Sequence, residues 1–205
     1  MPKRASTKPR KLPRQPRSRA TFDALVAAAA QVLVRDGYEK ASVNVIASRA
    51  GCSIGSLYQY FPTKEALIAE VLRLHAQRVI ETFMSKMIAF AHVPVREAIR
   101  GVIACTLDAY ALDPALLKVI VEQVPRTGQL ARSTELEEQI ALMLRGYLEF
   151  HRDELAVENI DMAVKILVHG VDGVATAMVV GDPKLASRAE LTEELTAMVQ
   201  RYVAK

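Results

Sequence analysis

The stretch from Ser42 to Pro62 leaves the backbone less freedom than any other part of the chain. Ser42 reads as an N-cap, because its hydroxyl can accept one of the orphan amides of the helix that follows, which runs through Ala50. Gly51 stops that helix, and Ser53 caps another after only two intervening residues. The second helix, over 54–61, ends before Pro62, since a residue preceding proline is pushed out of the helical region. Two short helices joined by a tight, glycine-containing turn form a helix-turn-helix. Ile46, Ala47 and Ala50 give the first helix an inner face, and Leu57 and Phe61 give one to the second. Gly55, Ser56, Gln59 and Tyr60 then point away from the core, as a helix entering the major groove requires. Ile54 aligns by periodicity with Leu57 and Phe61, on the inner side.

Charge is distributed in a way that suits this reading. Of 27 Lys+Arg and 23 Asp+Glu, residues 1–62 hold 11 and 3, leaving 16 and 20 for the remainder. A basic third joined to an acidic remainder puts the contact with a polyanion at one end. Residues 1–19 concentrate the effect: Lys3, Arg4, Lys8, Arg10, Lys11, Arg14, Arg17 and Arg19 stand among four prolines and no acid. Such a segment cannot bury apolar surface, and it reads as a basic disordered arm that either solubilises the chain or touches DNA.

Helical periodicity runs through the rest. Phe22, Leu25, Val26, Ala29, Val32 and Leu33 share one face of a first helix, which Asp36 and Gly37 end, with Gly37 suited to a left-handed position. Thr63 caps a long helix expected to reach Ala91. Ile99, Val102, Ile103, Thr106 and Tyr110 mark the next, and Asp113-Pro114 opens a further one that breaks at Val124-Pro125. Thr134 with Glu137, and Ser187 with Glu190, form capping boxes. The first of these starts a helix bearing Leu136, Ile140, Met143, Leu144 and Tyr147. Val164, Leu167, Val168, Val171, Val174, Ala175 and Met178 stripe the penultimate helix; Leu191, Leu195, Met198, Val199 and Tyr202 stripe the last. No segment alternates as a strand does, so the fold class is all-α. The expected organisation is an arm over 1–19, a three-helix DNA-binding domain over 20–66 and a larger helical domain over 67–205.

Other chemistries find little footing. No uninterrupted apolar run approaches the roughly 18 residues of a membrane span, and no signal-type stretch follows the basic N-terminus, so a cytoplasmic protein without a membrane partner is expected. Cys52 and Cys105 are too few for a disulfide framework or a thiolate metal site. His75, His92, His151 and His169 form no metal-binding pair of the HxxxH or HExxH kind, and no glycine-rich phosphate loop is present. Neither an enzyme nor a cofactor or metal is expected.

Gly37-Tyr38 and the run from Ser42 to Leu67 resemble the TetR family of bacterial repressors. The resemblance rests on Ile46-Ala47, Ala50-Gly51-Cys52-Ser53, Gly55-Ser56-Leu57-Tyr58-Gln59-Tyr60-Phe61 and Lys64-Glu65-Ala66-Leu67. Cys52 departs from the usual Val there and substitutes as a small hydrophobe. The resemblance implies a homodimer on double-stranded operator DNA. Ser42, Ser56, Tyr58, Tyr60 and Lys64 would touch phosphates, while Asn44, Ile54, Gly55 and Gln59 would lie near base edges. For Ile54 this conflicts with its inward periodicity. Hydroxyls and a lysine are ordinary phosphate partners, and glutamine can pair bidentately with adenine.

The resemblance also makes the larger domain a ligand-binding and dimerisation domain. Its last two helices would pack against a second copy, helped by Gly170, Gly173 and Ala177. Lys165, His169, Asp172 and Thr176 form a polar stripe opposite the apolar one, aimed at a pocket, at the dimer seam or at solvent. His169 and Asp172 are the expected orienting pair for a small apolar ligand that releases the repressor from DNA. His75, Cys105, Thr106, Tyr110, Met143 and Tyr147 are further pocket candidates, each with ordinary core packing as the alternative. TetR-like nucleoid-occlusion factors, which bind DNA without a small-molecule inducer, are the competing reading of the whole chain.

Overall fold

The computed structural model describes residues 15–124, 134–181 and 187–205, with Pro9 and Pro13, and residues 134–136 through their backbone alone. Among these residues the chain forms nine α-helices: α1 Pro16–Lys40, α2 Val43–Arg49, α3 Ile54–Tyr60, α4 Lys64–Met87, α5 Val95–Tyr110, α6 Pro114–Glu122, α7 Thr134–Phe150, α8 Ile160–Val180 and α9 Arg188–Val203. The only extended pairing described is an isolated bridge between Leu155 and Ala204. The protein is all-α.

Helix starts follow local chemistry. Ser42 Oγ accepts from Val45 N (3.3 Å), Ser53 Oγ from Ser56 N (3.1 Å), Thr63 Oγ1 from Ala66 N (3.1 Å) and Asp113 Oδ1 from Leu116 N (3.1 Å). Ser187 and Glu190 make the expected reciprocal pair, at 3.2 and 2.7 Å. Asn159, unmarked by any sequence signal used above, caps α8 by accepting from Met162 N (3.0 Å). Each such cap contributes about 1 kcal/mol. The Thr134 cap lies outside the described side chains.

Two boundaries differ from expectation. Helix α1 begins at Pro16, so residues 16–19 are helical; the rest of the arm, apart from Pro9, Pro13 and Gln15, lies outside the described residues. Proline at the first helical position has its φ already set, and Ser18 Oγ accepts from Gln15 N (3.3 Å). Helix α4 stops at Met87 and passes into a short 3-10 turn, Ile88–Phe90, instead of reaching Ala91. Its 24 residues still span about 36 Å.

The described residues divide into two compact units, 15–75 with 118–124 and 76–117 with 134–181 and 187–205. The first unit thus extends past the expected limit at 66 and takes in the end of α6. In it Phe22, Leu25, Val26, Ala29, Val32 and Leu33 of α1 are buried with Ile46, Ala47, Leu57, Phe61 and Leu67. Gly37 interrupts α1 with φ +81°, and Gly51 turns α2 into α3 with φ +65°.

In the second unit, Ile99, Ile103 and Leu107 of α5 pack with Leu148, Val164, Ala175, Leu195 and Val199 of α7, α8 and α9. A smaller cluster gathers Phe83, Met87 and Ala109. Glu154 ties this unit's loops together: its carboxylate accepts from Val95 N at the start of α5 (2.7 Å) and bonds His151 Nδ1 (2.7 Å). Helix α8 is long and apolar enough, by length and composition, to cross a membrane. One side of it, including Ala163, Val164 and Ala175, lies in this core.

Candidate nucleic-acid interface

Three aromatic rings set the orientation of α3. Phe22 of α1 lies 4.9 Å from the Phe61 ring and 5.8 Å from Tyr60, the latter edge-on at 82°. With Leu57 fully buried beneath them, α3 is anchored along Leu57, Tyr60 and Phe61. Tyr60 is therefore only 8% exposed, which corrects its outward placement from the sequence: its ring belongs to the core. Ile54 is resolved in the other direction. It is 44% exposed, on the outer face with Gly55, Tyr58 and Gln59.

The surface that results carries Ser42, Asn44, Ile54, Gly55, Tyr58 and Gln59 exposed, with Ser56 and Lys64 half-buried. The Ser56 hydroxyl shares a 2.9 Å hydrogen bond with Ser53 Oγ. At Gly55 an added Cβ would meet nothing nearer than Ser53 Oγ at 3.8 Å, so glycine leaves the helix start open. Arg49 locks α2 onto α1 by donating to Gln31 Oε1 (2.9 Å). Cys52 is half-buried, its thiol 3.4 Å from the Ala50 carbonyl, as a small hydrophobe in this turn would be.

Lys64 has partners that the sequence did not reveal. Its ammonium donates to the Tyr38 carbonyl (2.5 Å) and stands 4.0 Å over the Tyr38 ring. Burial, with the carboxylates of Glu65 and Glu39 adding to it, pushes the Tyr38 hydroxyl above its ordinary range, so that ring is neutral. A lysine carries three N–H donors, and this contact uses one. The pairing of residues 26 positions apart has no local signature.

The ligand candidates fall into separate groups. His75 clusters with the first unit and the other seven with the second. Cys105 and Met143 pack against Phe83, Met87 and Ala109, and burial pushes the Cys105 thiol up, keeping it protonated. Thr106 donates to Val102 O of its own helix (2.9 Å). Tyr147 donates to Val93 O (2.7 Å), and its hydroxyl is pushed up to about 12 by burial and then by Glu154. Asp172 accepts from the Tyr110 hydroxyl, while His169 is exposed on the single chain. Along the polar stripe, Lys165 is exposed as well, and Thr176 is buried.

Residues 25–71 match the family described as bacterial regulatory proteins, tetR family, and residues 94–202 match the tetracyclin repressor-like C-terminal domain. The fatty acid metabolism regulator protein of Bacillus subtilis is 28% identical over 182 residues, covering 81% of this chain and 87% of that one. Among solved structures, a TetR-family regulator from Mesorhizobium loti superposes with a TM-score of 0.72 at 19% identity, over 91% of this chain and 96% of that one. The fatty acid degradation regulator FadR from Bacillus halodurans gives 0.68 at 23% identity, over 87% and 97%.

Proposed function

The chain belongs to the TetR family of transcriptional regulators, and from that premise we propose a cytoplasmic repressor that binds a palindromic operator as a homodimer and is released by a small apolar ligand. DNA binding and regulation, not catalysis, come with the family. The observation that carries the finer reading is the outer face of α3, where Ile54, Gly55, Tyr58 and Gln59 stand clear of a closed three-helix base. Gln59 would read a base edge, Ile54 would meet a thymine methyl, and Asn44 and Gly55 would lie beside them. Ser42, Ser56, Tyr58, the Tyr60 hydroxyl and Lys64 would take phosphates.

Dimerisation is supported by a second surface. Met162, Ile166, Gly170, Gly173 and Ala177 recur along one exposed face of α8, and Met198 and Tyr202 are exposed on α9. At Gly170 and Gly173 an added Cβ would meet nothing within 4 Å, so a second helix could approach closely. A two-fold pair of reading heads then matches two half-sites.

For the ligand, the cluster of Phe83, Met87, Ala109, Cys105 and Met143 supports an apolar body, and the Tyr110–Asp172 pair supports one polar group. The fatty acid metabolism regulator among the relatives favours an aliphatic chain. Such a ligand acts only by binding the DNA-free conformation better than the DNA-bound one.

Selection of bound duplexes from random DNA, followed by anisotropy titrations, tests the reading. Two inverted half-sites, one dimer per site and release by a saturated long-chain fatty acid are expected. A single half-site bound by a monomer removes the dimer, and undiminished binding at saturating fatty acid removes that ligand class. Gln59→Ala should relax preference at one base pair by about 1–3 kcal/mol. Equal loss on selected and random duplexes would take Gln59 off the bases.

A further inference from the structure

Gln123, the first residue beyond α6, meets the DNA-binding helices through its side chain. Its Oε1 accepts from Tyr38 N (3.0 Å), and Tyr38 is buried, so this acceptor satisfies an amide that has little access to water. The Tyr38 carbonyl in turn accepts from Lys64 Nζ (2.5 Å) and from Ala41 N (3.3 Å). Both backbone polar groups of Tyr38 are thereby held, one by Gln123 and the other by the lysine that starts α4.

Gly37 makes this arrangement sterically available. A Cβ built there would lie 2.5 Å from Gln123 Oε1, so the carboxamide occupies the space that the missing side chain leaves. The positive φ of Gly37 also turns the backbone so that Tyr38 N–H faces the end of α6 rather than continuing the ladder of α1. Helix α6 itself is shared: 114–117 cluster with the second unit and 118–124 with the first.

We propose that Gln123 is a positioning residue for DNA binding, which fixes Tyr38 so that Lys64 is held by one N–H with two left for an operator phosphate. Without the Gln123 acceptor the Tyr38 turn is freed and Lys64 loses its orientation. This rests on the reading of Lys64 as a phosphate contact.

A double-mutant cycle tests it, using wild type, Q123L, K64A and Q123L/K64A on a duplex selected by the wild type. In the wild-type background Q123L should weaken binding roughly ten- to a hundredfold, the worth of one hydrogen bond in each protomer of the bound dimer. It should also lower the slope of log affinity against log salt by about 1.8, as expected when one phosphate contact is lost from each protomer of the bound dimer. In the K64A background both effects should vanish. Amide exchange at Tyr38 should accelerate in Q123L while core amides stay protected; Q123S, too short to reach Tyr38 N, replaces Q123L should the latter not fold. Equal losses in both backgrounds, or no loss in either, overturn the proposal. No effect of K64A alone removes the phosphate reading on which it rests, and no binding by wild type removes the DNA-binding reading itself.

Discussion

The two units leave different things exposed. In the first, the large apolar side chains exposed among the described residues are Val34, Val45, Ile54 and Tyr58, the last three on α2 and α3. In the second they are Met84, Ile88, Leu112, Leu142, Phe150, Met162, Ile166, Met198 and Tyr202. A unit that meets a polyanion can close its core upon itself and present small, polar and isolated apolar groups. A unit that meets another protein surface keeps an apolar face in reserve, and scattered exposure alone does not require that explanation. What sets α8 apart is order: its exposed apolar and small residues lie on one helical stripe, opposite the stripe that enters the core.

The sharpest way to break this contrast is a charge on the α8 stripe. Ile166→Asp should leave the monomer folded, since the side chain is 49% exposed, yet abolish the dimer. Because two linked heads bind far better than one, operator affinity should fall roughly a hundredfold or more. Sedimentation and anisotropy on the same sample check this; a dimer with unchanged affinity would move the interface elsewhere.

A smaller effect separates the units by stability. Gly37→Ala forces a side chain into φ +81°, at a cost of about 1–3 kcal/mol, and should lower protection from amide exchange in α1–α3 before α5, α8 and α9. Uniform loss across both units would show that they do not unfold separately.

Ser53→Ala removes the α3 cap and should destabilise the first unit by about 1 kcal/mol. It also frees Ser56 Oγ from its partner, so operator binding should weaken by more than the loss of folded protein accounts for. A loss that tracks stability alone would take Ser56 off the phosphates.

The least effect is confined to the second unit and to acid. The hydrogen bond to His151 first, then the Val95 amide, holds the Glu154 carboxyl below its ordinary range. A carboxyl lowered by folding adds stability above its unfolded pKa, and that contribution disappears as pH falls through the folded pKa. Glu154→Gln should therefore flatten the acid limb of a thermal-denaturation series for this unit. It should leave the first unit's limb unchanged; an acid limb identical to wild type would show that the carboxylate contributes nothing there.

Much of the site could be read without coordinates because its determinants are local. Ser42 and Ser53 act on amides three residues away, and Gly51 acts on its own φ. The same holds for the starts of α4 and α9. Helix α8 has the length and composition of a membrane span, yet its polar residues interrupt any continuous apolar run. Asn159 was missed because its cap follows a loop with no distinctive pattern.

By itself, then, the sequence determined the capped starts of α2, α3, α4, α6 and α9, that the fold is all-α, and that a helix-turn-helix stands at the basic end. Capping and 3.6-residue periodicity reach no farther than a turn or two, and those features need no more. Only the tertiary structure decided which side of α3 faces inward. Ile54, Leu57, Phe61 and Leu57, Tyr60, Phe61 are both admissible inner faces for so short a helix, and Phe22 selects the second by packing on Tyr60 and Phe61. Likewise the partners of Asp172, Lys64 and Gln123 lie 62, 26 and 85 positions away. Contacts at such separations arise from how helices pack, which no local pattern encodes.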